Sequence, residues 1–95
     1  MMYENLLKLN INIKRLIESI IVYISREVSD LTMCRRVLEV SLNPDLDLLY
    51  IRFNGDKDSA YGEYVGNYIH VFIQDKKIVA IEITPFSKFL KKLKI

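Results

Sequence analysis

Apolar residues alternate with mixed residues along four short segments between residues 37 and 84, and this period of two constrains the fold more than any other feature. Successive side chains of a β-strand point to opposite faces of the sheet, so the alternation predicts strands and assigns a face to each residue. A contiguous apolar face of this size is normally hidden, and we expect it to be covered. One set of positions is apolar throughout: Leu38, Val40, Leu42, Leu49, Ile51, Phe53, Ile69, Val71, Ile73, Val79, Ile81 and Ile83.

The opposite set of positions mixes aromatic and charged residues. Its members are Val37, Glu39, Ser41, Leu48, Tyr50, Arg52, Tyr68, His70, Phe72, Ile78, Ala80 and Glu82. A solvent-facing set would hold more Lys, Glu and Thr, whereas Tyr, Phe and an isolated Arg are typical of interface centres. We interpret this second face as covered by the C-terminal helix, by another protein chain or by a ligand, with the protein contact favoured. The predicted interface residues are Tyr50, Arg52, Tyr68, His70, Phe72 and Glu82.

A long amphipathic helix is predicted over residues 3–28, within an N-terminal unit of residues 1–30. Its apolar residues recur at steps of three and four, which places them on one face. The β-branched stretch Ile20–Ile24 also fits a strand, and that alternative stays open. Ser29 and Asp30 end the pattern. The apolar stripe is Leu6, Leu9, Ile13, Leu16, Ile17, Ile20, Ile24 and Val28.

Turn residues separate the predicted strands within 35–84. A turn is expected at Asn43-Pro44-Asp45, another at Asn54-Gly55 with a lengthened loop, and a third at Asp75-Lys76-Lys77. Thr84 is expected to cap a basic C-terminal helix over 85–95, with Pro85 at its first position. The predicted strands are the segment that follows Arg35, then Leu48–Phe53, Tyr61–Val65, Tyr68–Gln74 and Ile78–Thr84. Because the connections are short, we predict an α+β fold with a four- to five-stranded antiparallel meander, a long N-terminal helix and a short C-terminal helix.

The chain of 95 residues is long enough for one domain, 1–95, which buries only about two-thirds of its unfolded surface. Association with a second copy or a small protein partner is therefore expected to matter. Its single cysteine, Cys34, can close no internal disulfide, and no apolar run approaches the length of about 20 residues that spans a bilayer. We predict a cytoplasmic protein that does not contact a membrane.

Candidate catalytic and metal-binding residues are sparse. His70 is the only histidine and shares its predicted face with Glu39 and Glu82, but a lone histidine on a sheet is more often structural. Cys34 lies beside two arginines that would favour its thiolate, without a second motif to use it. The acidic residues around Asp47 lack the ligand series of a calcium loop. We predict no enzyme activity, no cofactor and no metal site.

The charges are unevenly distributed although the net charge is only +2. Between residues 86 and 95 there are lysines and no acidic residue, which suggests anion contacts by Lys88, Lys91, Lys92 and Lys94. The same lysines also fit a solvated helix face near the negative end of the helix dipole. The alternative function is nucleic-acid binding by this basic helix together with the sheet aromatics. Glu39 and Glu82 on the same sheet face weigh against it.

Two segments carry a resemblance to a known family. Residues 42–51 read LNPDLDLLYI and residues 75–88 read DKKIVAIEITPFSK. They resemble the blocks Y-D-x-x-x-D-x-L-Y-I and D-x-x-G-x-V-V-G-I-E-I-L-x-A-S of a small prokaryotic family, domain of unknown function twenty-two eighty-three. The matching positions are Asp47, Leu49, Tyr50, Ile51, Asp75, Val79, Ile81, Glu82, Ile83 and Ser87. The departures are Asn43 for the family's acid, Lys76 and Ala80 for its glycines, and Phe86 for its alanine.

The resemblance covers about half of the chain and excludes the N-terminal helix. It implies an antiparallel sheet with a helix and no established activity. Some members are proposed as antitoxins, so it also implies a protein-binding module, with Asp47, Tyr50 and Glu82 as the positions where a shared role would lie. Two of these, Tyr50 and Glu82, fall on the second face by alternation alone.

Overall fold

The computed structural model describes residues 12–28, 32–33, 36–53 and 60–93. Within these ranges the chain forms two helices and six strands. The elements in chain order are α1 (Ile13–Glu27), β1 (Thr32–Met33), β2 (Val37–Asn43), β3 (Leu48–Phe53), β4 (Tyr61–Val65), β5 (Ile69–Gln74), β6 (Lys77–Ile83) and α2 (Phe86–Leu93).

Strands β2 to β6 form one antiparallel sheet in the order β2-β3-β6-β5-β4. The two-residue strand β1, which the sequence did not predict, extends the sheet by pairing in parallel with the start of β6. The predicted α+β class, with a helix at each end and a five-stranded antiparallel sheet, is confirmed. The predicted meander is wrong, because β3 pairs with β6 rather than with β4.

The position of β6 at the centre of the five strands follows from its composition. The four consecutive residues from Ile78 to Ile81 are all buried, so this strand is apolar on both sides of the sheet. A strand of this kind is most stable where neighbours pair with both of its edges. Strands β6 and β5 therefore lie between β3 and the edge strand β4, so β3 and β4 do not form a hairpin. The predicted turn at Asn54-Gly55 lies outside the described residues.

Helix α1 begins at Ile13, and residues 3–11 of the predicted helix lie outside the described residues. Asn12 has extended backbone dihedrals, and its side-chain oxygen accepts the backbone N–H of Arg15 at 3.1 Å, as an N-cap residue does. A single continuous helix over 3–28 is therefore wrong at Asn12, while the stretch Ile20–Ile24 is helical and not a strand. Neither described helix is long and apolar enough to cross a membrane.

Both helices pack on the same face of the sheet, which we call the helix-covered face. Leu16, Ile20 and Ile24 of α1 and Phe86 and Phe89 of α2 share one buried cluster with the inward residues of the strands. The two helices meet directly in an edge-to-face contact between Tyr23 and Phe89, whose ring centroids are 5.4 Å apart. The alternative in which the C-terminal helix covers the second face is therefore wrong.

Two bulges change the predicted assignment of residues to faces. The register of β2 shifts between Val37 and Glu39, so Val37 packs against the core and Leu38 does not belong to that cluster. The register between β5 and β6 shifts beyond Phe72, and Ile73 pairs with Ile78. Ile78 then joins the core cluster, in place of the expected Val79.

The first turn of α2 is capped by Asp47, which lies forty residues earlier in the chain. Its carbonyl oxygen accepts the N–H of Phe86 at 2.8 Å, and its carboxylate accepts the N–H and the hydroxyl of Ser87. Thr84, the expected N-cap, instead donates its hydroxyl to the carbonyl of Leu46 at 3.4 Å. The β2–β3 turn is therefore fastened to the start of α2.

Candidate functional site

The face opposite the helices carries two rows of side chains in register across the five antiparallel strands. Neither described helix lies on it, and we call it the open face. The first row contains Glu39, Arg52, Ala80, Phe72 and Gly62, and the second contains Ser41, Tyr50, Glu82, His70 and Tyr64. Five of the six predicted interface residues lie in these rows: Tyr50, Arg52, His70, Phe72 and Glu82.

His70 lies at the centre of an aromatic cluster on the open face. Its ring stacks on Tyr64 with centroids 4.5 Å apart and planes 13° apart. The centroid of the Phe72 ring lies 4.6 Å from that of His70. Nδ1 lies 3.7 Å from Oε1 of Glu82. The ring lies against Gly62 of the neighbouring strand so closely that a Cβ at that position would collide with Nε2. Glycine at position 62 is therefore what lets the ring lie flat on β4.

The charged residues of the open face are paired with one another. Arg52 Nε lies 3.4 Å from Glu39 Oε1 on the adjacent strand, and each side chain keeps about 40% of its surface exposed. Glu82 faces His70, and both side chains are 28% exposed. Exposed pairs of this kind contribute little to stability, with a median of about 0–1 kcal/mol. Their consequence is a face that presents both signs of charge between aromatic rings.

Tyr50 lies between these charge pairs and has a pKa above its usual value of 10.0. Partial burial is the main cause, because it disfavours the phenolate. The carboxylates of Glu39 and Glu82 act in the same direction, whereas the guanidinium of Arg52 opposes them. The phenol is therefore the stable form of this side chain on the open face.

Replacing Tyr50 by phenylalanine is expected to make the alkaline loss of stability less steep. A folded-state pKa raised above 10.0 contributes stability that is fully present below pH 10 and is lost as the pH rises through the folded value. Urea unfolding of the two proteins between pH 8 and pH 12 measures this difference. Parallel curves for both proteins would contradict the raised pKa, and Tyr61→Phe serves as the control at an exposed tyrosine.

Tyr68, the sixth predicted interface residue, is not on the open face. It lies in the turn before β5 and packs against the core, with its ring centroid 6.5 Å from that of Phe89. Because β5 begins only at Ile69, the alternation of a regular strand does not extend to Tyr68. Tyr68 therefore belongs to the helix-covered face.

Three of the four predicted anion-binding lysines belong to α2, on the helix side of the molecule. Lys88 and Lys91 are exposed on α2, and Lys94 falls outside the described residues, as does Cys34. Lys92 Nζ lies over the rings of Tyr23 and Tyr68, at 5.3 Å and 5.8 Å from their centroids. The basic helix and the sheet aromatics are thus on opposite sides of the sheet.

Tyr64 is the open-face residue that the sequence did not identify. It is 78% exposed and stacks on His70, and no other described large apolar or aromatic side chain reaches this exposure. The sequence shows that Gly62 and Tyr64 lie on one side of the predicted strand Tyr61–Val65. In so short an edge strand the sequence does not reveal which side faces the core. The pairing of Val65 with Ile69, both buried, decides it.

The open face brings few chemically reactive groups together among the described residues. Histidine and glutamate are near each other, and no hydrogen bond of the described residues brings a serine or threonine hydroxyl to His70. Among the described residues there is also no group of three His, Cys, Asp or Glu side chains that could hold a metal ion. Aromatic rings with adjacent opposite charges are suited to protein contact.

No protein-family model matches the chain, and no curated protein or solved structure is significantly similar to it. The resemblance to the domain of unknown function twenty-two eighty-three therefore stays a prediction. Asp47 of the first block and Ser87 of the second block are in contact, because the Asp47 carboxylate accepts the backbone N–H and the hydroxyl of Ser87.

Proposed function

We propose that this protein is a small interaction module that associates with a second copy of itself through the open face. The observation that carries the proposal is the placement of both described helices on one side of the sheet, so that neither of them covers the row of Tyr50, His70 and Tyr64. Aromatic residues with a central arginine are the types that dominate binding energy at protein interfaces. The cytoplasm is its proposed location.

Charge complementarity favours a second copy as the occupant. In a two-fold contact the same patch lies on both sides, so a patch with one sign of charge repels itself. The open face instead combines Arg52 with Glu39 and Glu82, which lets each protomer offer both signs to its partner. The two carboxylates would repel a phosphate backbone. The antitoxin role that the family resemblance implies would use the same face with a different protein as partner.

The size of the face sets the expected affinity. Five strands about 4.8 Å apart and about 20 Å long give a footprint of about 500 Å². A standard interface buries about 800 Å² on each partner, so this contact lies at the lower end of the range of specific complexes. We therefore expect a dimer that forms at micromolar concentrations and dissociates on dilution.

Light scattering between about 5 and 500 μM is expected to show a mass that rises from the protomer value of 11.2 kDa towards twice that value. Tyr64→Arg is expected to abolish the rise, because it places a new cation at the most exposed ring of the face. Tyr61→Arg is the matched control: Tyr61 is an exposed tyrosine on the same strand, and it pairs with Ile73 towards the other face.

The outcomes separate clearly. A mass that rises for the wild type and for Tyr61→Arg, but not for Tyr64→Arg, supports the proposal. A constant mass of one protomer at every concentration overturns it, as does a dimer that Tyr64→Arg leaves intact. Circular dichroism of both variants checks that the substitutions act on association and not on folding, since each replaces a surface side chain.

A further inference from the structure

The groove between the outer surfaces of α1 and α2 contains three cationic side chains. Arg15, Ser19, Val22 and Arg26 follow each other at steps of four, three and four residues, which aligns them along one side of α1. Lys92 and Leu93 of α2 form the opposite wall. The groove has a volume of about 530 Å³ and is open to solvent. This surface lies on the helix side, away from the open face.

Lys92 is held in place at this groove by aromatic rings. Its ammonium lies over Tyr23 and Tyr68, and its hydrogen bond with Tyr23 is the main cause that raises its pKa. The lysine is therefore charged throughout the physiological range. Because its position is restrained before any ligand arrives, less conformational freedom is lost when an anion binds.

We propose that this groove binds the phosphate backbone of a nucleic acid. Arg15 and Arg26 are eleven residues apart on α1, which corresponds to about 16 Å. A nucleic-acid strand carries one phosphate per about 3.4 Å of duplex axis, so a groove of this length faces about five phosphates. The number of phosphates along this length is enough for one contact by each of the three cations, and guanidinium groups match phosphate oxygens in bidentate geometry.

Two acidic side chains border the groove and oppose anion binding. Glu18 lies in its lining, and Glu27 is close enough to influence the charge of Lys92. The excess of positive charge is therefore small, which favours a ligand of high charge density that releases counterions on binding. The same residues provide a variant with the opposite effect: Glu18→Gln is expected to strengthen binding.

Fluorescence anisotropy with labelled 20-nucleotide single strands and duplexes tests the proposal. Three phosphate contacts predict a slope of log affinity against log salt of about −2.7 for a duplex, or about a 40-fold loss between 50 and 200 mM salt. Arg15→Gln, Arg26→Gln or Lys92→Gln is each expected to lower affinity at 50 mM salt and to reduce the slope by about one. The loss between the two salt concentrations then becomes about 12-fold.

Arg36→Gln and Lys77→Gln are the matched controls, since each removes one exposed cation that does not line the groove. Unchanged slopes for these two variants, together with tighter binding by Glu18→Gln, support the groove. Undetectable binding at 50 mM salt overturns the proposal, and so does an equal loss in the controls. Competition by polyglutamate with the same affinity and slope overturns it as well, because it assigns the groove to an acidic protein.

Discussion

Replacing Phe89 by alanine is expected to lower the free energy of unfolding by about 3–5 kcal/mol, the usual cost of truncating a buried phenylalanine. Its side chain is completely buried and contacts Tyr23 of α1 and Tyr68 before β5. Such a loss is a large share of the 5–15 kcal/mol that stabilises a typical domain. Thermal unfolding should shift by at least about 12 °C.

Lys88→Ala is the control for the Phe89 variant, because Lys88 is exposed on the same helix and its replacement should change stability by less than about 0.5 kcal/mol. If the alanine variant does not fold, Phe89→Leu keeps most of the volume and should cost less than about 1.5 kcal/mol. A loss below 1 kcal/mol for Phe89→Ala would contradict the placement of α2 on the core.

The position of α2 shows what an amphipathic pattern can and cannot reveal. Phe86, Phe89, Leu90 and Leu93 recur at helical spacing in the sequence, which predicts an apolar side of this helix, and that side packs on the core. The spacing does not state which face of the sheet the helix covers, because both faces offer apolar or aromatic positions. That choice depends on tertiary contacts, in particular on the meeting of Tyr23 and Phe89.

The two bulges mark the limit of the alternation argument. Residues on either side of each bulge are apolar, as with Val37 beside Leu38 and Ile78 beside Val79, so hydropathy does not reveal which of the two faces the core. An inserted residue in one strand reverses the assignment on one side of it. Away from the bulges, and with the exception of Tyr68 in the turn before β5, the predicted faces agree with the structure, which is why the row of Tyr50, Glu82 and His70 could be recognised from the sequence.

The order of the strands depends on an interaction that the sequence pattern does not contain. Short connections predict neighbours, and they do so correctly for β2 with β3, β4 with β5 and β5 with β6. The longer connection 54–60 leaves room for β6 beside β3. The open face consequently brings β3 and β6, which are far apart in the sequence, next to each other, while Glu39 on β2 and Tyr64 on β4 lie at its two edges.

Replacing Asp47 by alanine is expected to lower the free energy of unfolding by about 1.5–4 kcal/mol. Loss of a helix cap costs about 0.5–2 kcal/mol, and Asp47 also has a positive φ of 50°, where alanine is strained by about 1–2 kcal/mol. Asp47→Asn should cost much less, since asparagine tolerates this backbone region and keeps an oxygen acceptor for Ser87. Asp47→Gly also lacks the carboxylate but avoids the backbone strain, so its difference from Asp47→Ala reports the strain of alanine at this φ. Chemical denaturation of the three variants separates the two contributions.

The contact between Asp47 and Ser87 is best measured by a double-mutant cycle. The carboxylate accepts the N–H of Ser87 at 3.0 Å and its hydroxyl at 2.5 Å. Ser87→Ala removes only the hydroxyl, so its coupling with Asp47→Ala reports that single hydrogen bond, which should amount to about 1 kcal/mol. Coupling below about 0.3 kcal/mol would contradict a stabilising hydrogen bond between the Ser87 hydroxyl and the Asp47 carboxylate. Coupling near the expected value would show that the hydrogen bond between Asp47 and Ser87 stabilises the folded state. The first turn of α2 would then hold this helix on the helix-covered face together with the buried side chain of Phe89.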